Sequence, residues 1–171
     1  MQKKDENIKD ETNKENMTNK LESVISQILS EISNQNCELE FNPDDPFSRE
    51  NPSKVSLKYF FGRIKKYSQI DESTIIIILI YIDRMCITSG IILNPRNIHR
   101  LILGCLILAI KYNEDFYYNN EYYAKIGGLP LDEFNVLEYH SIQLIEYNLY
   151  ISDDIYEKYL SYIMHFNDEK S

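Results

Sequence analysis

The chain has 171 residues, enough for one domain with a substantial hydrophobic core, and 43% of its residues are hydrophobic. This content excludes a wholly disordered chain. The formal net charge of −9 makes nucleic acid and anionic membranes poor partners, because an acidic surface is repelled by phosphate groups.

The N-terminal segment, residues 1–17, combines Lys, Asp, Glu and Asn with few apolar side chains. It cannot bury enough apolar surface to offset the entropy lost on ordering, so we expect a disordered tail. From Thr18, which is available as an N-cap, the apolar residues follow the spacing of one helix face. They are Leu21, Val24, Ile25, Ile28, Leu29 and Ile32. This helix and a proline-containing connector at residues 42–52 form a segment over residues 18–52.

Two further helices are expected, one over residues 56–68 and one from Asp71 or Ser73 to about Thr88. The apolar run at residues 75–82 in the second also fits a buried strand. We favour a helix because polar residues continue the helical pattern beyond the run and no hairpin turn follows. The Ser-Gly pair at residues 89–90 ends it.

Asn94-Pro95 combines a capping side chain with a proline suited to the first helical position, which predicts a helix start. That helix continues to about Tyr112. Its middle, residues 101–110, is apolar on every face and is therefore the expected central helix of the fold. An elbow at residues 113–120 follows, and we expect the rings of Tyr117 and Tyr118 to join the core.

A short helix near residues 121–126 ends at Gly127-Gly128, and Pro130 opens a long helix to about Asn148. Its inward residues are expected to be Leu131, Phe134, Leu137, Ser141, Leu144 and Ile145. Ser152 or Asp153 caps a last short helix within residues 151–171. The sequence therefore predicts an all-α fold, a compact bundle around one buried helix.

The pattern of chemistry-bearing residues argues against an enzyme. The three histidines, His99, His140 and His165, are unclustered, and no H-E-x-x-H or thiol set supplies metal ligands. Gly127-Gly128 lacks the context of a phosphate-binding loop. We therefore expect no catalytic residue, no metal, no cofactor and no small-molecule substrate.

The three cysteines are an odd number without a C-x-x-C pair, which indicates a reducing compartment. Cys86 and Cys105 stand inside apolar runs, where a thiol packs as a small core residue. The charged first seventeen residues carry no secretory signal, and neither long apolar run approaches the roughly 20 residues of a membrane span. We expect a soluble, intracellular protein of the nucleus, the cytoplasm or both.

A series of short strings between residues 55 and 150 is specific in its order and spacing. They are Ser56-Leu57, Phe60-Phe61-Gly62-Arg63-Ile64, Lys66-Tyr67, Ile80-Tyr81-Ile82-Asp83-Arg84, Asn97-Ile98-His99-Arg100-Leu101, Ala109, Lys111-Tyr112, Asp115, Tyr117-Tyr118-Asn119-Asn120, Tyr122-Tyr123-Ala124-Lys125-Ile126-Gly127-Gly128, Glu133, Asn135 and Leu137-Glu138. In this arrangement they resemble a cyclin box, and most of all the box of single-box P/U-type cyclins, the group related to the fungal phosphate-pathway cyclin.

The resemblance implies a regulatory subunit that binds and activates a cyclin-dependent serine/threonine protein kinase. It implies a five-helix box at residues 53–150, with an extra N-terminal helix and a short C-terminal helix. In such pairs the third and fifth box helices pack against the kinase helix that carries the glutamate of the active-site ion pair. Docking moves that glutamate toward its lysine, so the cyclin itself does no chemistry. P/U-type cyclins serve nutrient signalling in some settings and the cell cycle in others.

A lysine late in the third helix and a glutamate in the fifth are the family's most characteristic contacts, and Lys111 and Glu138 match them. From the residues alone, Lys111 also fits a solvated helix end and Glu138 an ordinary boundary residue. If both lie on one face, Tyr112 and Ile142 flank them in a mixed apolar and charged patch suited to a partner helix.

Glu114 and Asp115 follow shortly after Lys111, at the end of the same helix. Their carboxylates are therefore either simply exposed to solvent or in contact with the rim of the kinase interface. The helix from Thr18 either covers the cyclin's own core or adds to the kinase interface, and both roles are compatible. Residues 52–56 lack the M-R-A-I-L-type motif of many cell-cycle cyclins, so docking of R-x-L substrates is not expected.

The arginine that normally pairs with the aspartate of the second box helix is also missing. Arg63 and Arg84 are the candidate partners of Asp83. Two other functions stay open: a cyclin-fold adaptor that binds proteins without activating a kinase, and a nucleic-acid-binding cyclin-like domain, which the net charge opposes.

Overall fold

A computed structural model describes residues 2–166 of the chain. The described residues form helices α1 (Gln2–Asn34), α2 (Leu57–Ser68), α3 (Glu72–Ser89), α4 (Ile98–Asn113), α5 (Asn120–Gly127), α6 (Leu131–Leu144) and α7 (Asp153–His165), and they contain no strand. The all-α prediction is confirmed. The isoleucine run at residues 75–82 lies in α3 and is a helix, as favoured.

Helix α4 is the centre of the bundle. Every residue from 101 to 110 is buried, and α3, α5 and α6 pack against this helix. Helix α2 packs against α1 and α5, so α2 to α6 form a five-helix unit. Helices α1 and α7 lie outside that unit and cover α3. The predicted central helix is therefore confirmed, and its burial follows from its apolar residues on all sides.

Helix α1 begins at Gln2, so the segment expected to be a disordered tail is helical from residue 2 onward. Nucleation is the costly step of helix formation, and the packed part of α1 supplies it. Its inward residues are buried as the spacing predicts: Leu21, Val24, Ile25, Ile28 and Leu29. The residues before them are mostly polar, and the Lys, Glu and Gln residues among them are good helix formers that extend the helix at little further cost. Ile32, at the end of the predicted face, is 41% exposed.

Helix ends follow the predicted capping signals at three places. Gly90 and Gly128 adopt φ values of 73° and 69°, which end α3 and α5 in the left-handed region that suits glycine. Ser152 caps α7, and its side chain accepts a hydrogen bond from the backbone N–H of Ile155.

Two predicted helix limits differ from the structure. Residues 95–97 form a turn, and α4 begins at Ile98, because two side chains stabilise the turn. Oδ1 of Asn94 accepts a hydrogen bond from the backbone N–H of Arg96, and Oδ1 of Asn97 accepts one from the backbone N–H of Asn94. Helix α6 ends at Leu144 rather than near Asn148, since the residues at 146 and 147 have positive φ values of 54° and 58°. Leu131, expected to face inward, is exposed because it starts α6 at the edge of the bundle.

Candidate protein-binding site

Packing of α4 against α6 brings Lys111 and Glu138 together. Nζ of Lys111 lies 2.6 Å from Oε1 of Glu138, and the two side chains are 35% and 22% exposed. Lys111 stands in the last turn of α4, where a cation also interacts favourably with the helix dipole. The two residues that sequence analysis placed at a partner interface thus share one partly exposed surface.

Tyr112 and Ile142 complete the patch that the sequence predicts around this ion pair. Tyr112 follows Lys111 and is exposed, and Ile142 lies one helical turn beyond Glu138 and is half-buried. We call these four residues, Lys111, Tyr112, Glu138 and Ile142, the α4–α6 surface. It offers a donor, an acceptor and apolar area side by side, which is what a partner needs for both affinity and register.

Helix α5 contributes a residue that sequence analysis did not identify. Nδ2 of Asn120 lies 2.6 Å from Oε2 of Glu138 and 2.7 Å from Oδ1 of Asn135. Asn135 stands three positions before Glu138, a spacing that places both on one face of α6 and was readable from the sequence. Nothing in the sequence connects Asn120 to that face, because the contact depends on how α5 packs on α6.

Glu114 is tied to the fold rather than free at the surface. Its Oε1 accepts a hydrogen bond from the hydroxyl of Thr74 and lies 3.4 Å from the backbone nitrogen of Asp71, at the start of α3. Glu114 is half-buried, whereas the neighbouring Asp115 is exposed. Of the two acids predicted near the rim of an interface, Asp115 is the more accessible to a partner.

The aromatic residues of the elbow lie outside the core, contrary to the expectation for Tyr117 and Tyr118. These two side chains are about half exposed, and Phe116 between them and Asp115 is 93% exposed. The inward position belongs to Tyr123 of α5, which is buried and accepts a hydrogen bond from the backbone N–H of Tyr118. A groove of about 410 Å³ runs beside the elbow, lined by Ser68, Gln69, Tyr123 and residues 114–118.

Asp83 has a different partner from the two arginines that the sequence offered. The hydroxyl of Tyr159 on α7 donates a hydrogen bond to its Oδ2. Arg84 instead donates to the backbone oxygen of Asn148 over 2.8 Å, and Arg63 lies over the ring of Phe60. The hydrogen bond between Tyr159 and Asp83 anchors α7 to α3, on the outside of the five-helix unit.

The thiols of Cys86 and Cys105 are held in their protonated form. Cys105 is wholly buried, and burial raises its pKa well above the ordinary value. Burial, and then the charge of Asp83, raises the pKa of Cys86 to about 11. Protonated thiols are poor nucleophiles, so neither cysteine is set up for covalent chemistry.

The part of the chain that the structure describes contains neither a metal-binding cluster nor a helix that could span a membrane. Among residues 16, 17 and 19–166, whose side chains the structure describes, no group of three or more His, Cys, Asp and Glu side chains is arranged to hold a metal ion. None of the helices described there is both long and apolar enough to cross a bilayer.

Comparison with known proteins agrees with this architecture. The family model described as Cyclin matches residues 3–149. Cyclin-U2-2 of Arabidopsis thaliana is 34% identical over 116 residues, which cover 67% of this chain and 50% of that protein. Cyclin-U3-1 of the same plant is 36% identical over 105 residues, covering 61% and 48%. The PHO85 cyclin-like protein psl1 of Schizosaccharomyces pombe is 35% identical over 113 residues, covering 65% and 46%. The chain spans about half the length of these relatives.

Proposed function

Because the chain belongs to the cyclin family, in its P/U-type group, we propose that it is a regulatory subunit that binds and activates a cyclin-dependent serine/threonine protein kinase. Its partner is the catalytic subunit of that kinase. We assign it no catalysis of its own and no nucleic-acid, membrane or small-molecule partner. We also propose an intracellular setting, the nucleus or the cytoplasm, which three free cysteines support.

The observation that carries the proposal is the ion pair between Lys111 and Glu138. These residues match the lysine and glutamate characteristic of cyclins, and they lie 2.6 Å apart on the third and fifth helices of the five-helix unit. Because the pair is partly exposed, its remaining donors and acceptors are available to the backbone and side chains of a docked helix. Because the charges neutralise each other, covering them costs less than covering an isolated charge.

The proposed mechanism is a shift of the kinase between two conformations. The α4–α6 surface binds the kinase helix that carries the active-site glutamate only when that helix lies inward. A partner that binds one conformation more tightly raises its population, and no bond to substrate is required of it. The exposed ring of Phe116 and the carboxylate of Asp115 extend this surface along the elbow.

The test uses a charge exchange on the α4–α6 surface. Tagged wild type and the double variant Lys111→Glu, Glu138→Lys are recovered from source cells and assayed for protein kinase activity. The exchange keeps an ion pair between the two positions, and an exposed pair contributes only about 0–1 kcal/mol to stability, so the variant is expected to fold. We expect kinase activity with the wild type and its loss with the variant.

The matched control is the exchange Glu121→Lys, Lys125→Glu on α5. This pair has the same chemistry, with 3.1 Å between Nζ and Oε1, but it is more exposed and lies outside the α4–α6 surface. It is expected to retain the kinase. If both exchanges retain it equally, the proposed surface is wrong. If the wild type holds a kinase catalytic subunit, identified by mass spectrometry, without raising its activity, the adaptor function replaces activation.

A further inference from the structure

The side-chain amide of Asn120 bridges two side chains on a neighbouring helix. Asn120 is the first residue of α5 and is half-buried. Its Nδ2 donates to Oε2 of Glu138 over 2.6 Å and to Oδ1 of Asn135 over 2.7 Å. Since both acceptors lie on one face of α6, a single amide group connects the start of α5 to the middle of α6.

The chemistry of the acceptors fixes the orientation of this amide. An NH₂ group has two hydrogens, and the two bonds use both of them. An ionised carboxylate can only accept hydrogen bonds, so the opposite amide orientation would place Oδ1 of Asn120 against Oε2 of Glu138. That arrangement would replace an attraction by a repulsion, and the observed orientation is therefore the stable one.

The carboxylate of Glu138 is consequently held at both oxygens by two different helices. Lys111 on α4 holds Oε1, and Asn120 on α5 holds Oε2. With Lys111 alone, the two long and partly exposed side chains could rotate together as a pair. The second bond comes from a short side chain on a fixed helix start, and it removes that freedom.

We propose that Asn120 is a positioning residue for Glu138, holding its carboxylate in the orientation in which it meets the kinase. This inference rests on the proposed function, which it deepens. A side chain that is already ordered loses less conformational freedom on binding, so its contacts contribute more to affinity. Asn120 therefore acts on the kinase through Glu138 and not by a contact of its own.

The test measures the affinity of the full chain for the kinase catalytic subunit that the wild type retains. Asn120→Ala is expected to weaken binding roughly 3- to 10-fold, the loss of about one preordered side chain. In a Glu138→Ala background, the same substitution is expected to cause no further loss. Such non-additivity is the signature of two residues that act as one unit.

The neighbouring Asn119 provides the matched control. It is the N-cap of α5, and its Oδ1 accepts a hydrogen bond from the backbone N–H of Tyr122 over 3.0 Å. Asn119→Ala weakens the start of α5 but leaves both bonds of Asn120, so we expect lower stability with unchanged kinase affinity. A second measurement needs no kinase. The side-chain amide NMR signals of Asn120 should shift in the variant Glu138→Ala, because that substitution removes one of the two acceptors of the amide.

Each contrary outcome has a distinct meaning. Wild-type affinity in Asn120→Ala refutes the positioning role, and so does an equal loss in both backgrounds, because Asn120 would then contact the kinase directly. A loss of the same size in Asn119→Ala refutes it too, since the effect would come from the stability of α5. A wild-type chain that binds no cyclin-dependent kinase refutes the proposed function itself.

Discussion

The hydroxyl of Tyr159 on α7 donates a hydrogen bond to Oδ2 of Asp83 on α3. The bond connects the last helix to the second helix of the five-helix unit. Burial, and after it the bond to Asp83, raises the pKa of Tyr159. A phenol with a raised pKa stays protonated over a wider pH range and therefore remains a hydrogen-bond donor. Helix α7 is thus held by a hydrogen bond as well as by apolar packing.

Removal of this hydroxyl should loosen α7. We expect Tyr159→Phe to lower the free energy of unfolding by about 1 kcal/mol, the typical net value of a hydrogen bond in a partly exposed site. Urea unfolding followed by circular dichroism measures it. Tyr162 lies on the same helix and is 51% exposed, so Tyr162→Phe serves as the control and should change the stability by less than about 0.5 kcal/mol. Equal effects of the two substitutions would contradict the anchoring role.

Stability should fall in alkaline solution through Tyr81. This side chain is buried and its hydroxyl donates to the backbone oxygen of Leu149 over 2.7 Å. Burial raises the pKa of Tyr81 to about 12, whereas the pKa of a tyrosine in the unfolded chain is about 10. Above pH 10 the unfolded state loses a proton that the folded state keeps, so the free energy of unfolding decreases as pH rises toward 12.

Denaturant unfolding at a series of pH values between about 8 and 11 tests this dependence. The control is Tyr81→Phe, which lacks the titrating hydroxyl. It should be less stable than the wild type near neutral pH, and its stability should fall less steeply above pH 10. Parallel curves for the two proteins would show that other groups cause the alkaline loss.

The contact between α4 and α6 requires a glycine at position 104. A Cβ atom on Gly104 would lie 1.9 Å from Oγ of Ser141, which is closer than atoms can pack, and 3.1 Å from its Cβ, which is a tight contact. We expect Gly104→Ala to lower the free energy of unfolding by about 1–3 kcal/mol, as overpacking of a core does. The addition of Ser141→Gly should recover much of the loss, because it removes the atoms that clash. Thermal unfolding of both variants measures the recovery, and an additive further loss would contradict it.

Ser141 itself should be replaceable by alanine. Its hydroxyl is buried and has no hydrogen-bond partner among the described residues, so it carries a desolvation cost without a compensating bond. We expect Ser141→Ala to leave the stability unchanged or to raise it by up to about 1 kcal/mol. Ser68 is the matched control, since its buried hydroxyl donates to the backbone oxygen of Ile64. Ser68→Ala should be destabilising, and the reverse order would contradict the argument.

Glu114 and Asp115, the two acids of the elbow, should differ in their contribution to stability. Glu114→Ala removes the acceptor of the buried Thr74 hydroxyl and should lower the free energy of unfolding by about 1–3 kcal/mol. Asp115→Ala changes an exposed side chain and should alter stability by less than about 0.5 kcal/mol. Chemical denaturation of the two variants measures this difference.

The proposed kinase interface leads to a further prediction for Asp115. We expect Asp115→Lys to weaken kinase binding while the fold stays intact. Unchanged binding would show that Asp115 lies outside that interface.

The buried faces of the helices were predictable from the sequence because helix periodicity acts within a single element. The apolar spacing in α1 identified five residues that are buried, and the continuous apolar run in α4 identified the centre of the bundle. Lys111 and Glu138 were also predictable as a pair, through the resemblance to cyclins and not through their spacing. The structure places their charged groups 2.6 Å apart, and their contact with a kinase stays a prediction.

The first residues of α1 and the elbow show the limit of local reasoning. Residues 2–17 are polar and predicted a disordered tail, but the packed part of α1 nucleates a helix that continues through them. The elbow aromatics are as apolar as core residues, but Tyr123 occupies the inward position, so Phe116 and its neighbours lie outside. The composition of a segment predicts its structure in isolation, but packing against neighbouring parts of the chain changes which residues become helical or buried.

The presence of the helices, most of their inward-facing residues and the family of this protein follow from the amino-acid sequence, because each depends on residues close together in the chain or on a recognisable series of motifs. The polar partners depend on how the helices pack: Asn120 bonds Glu138, 18 positions away, and Tyr159 bonds Asp83, 76 positions away. The physical reason is that a hydrogen bond needs donor and acceptor within about 3 Å, and only the packing of helices brings such distant side chains that close.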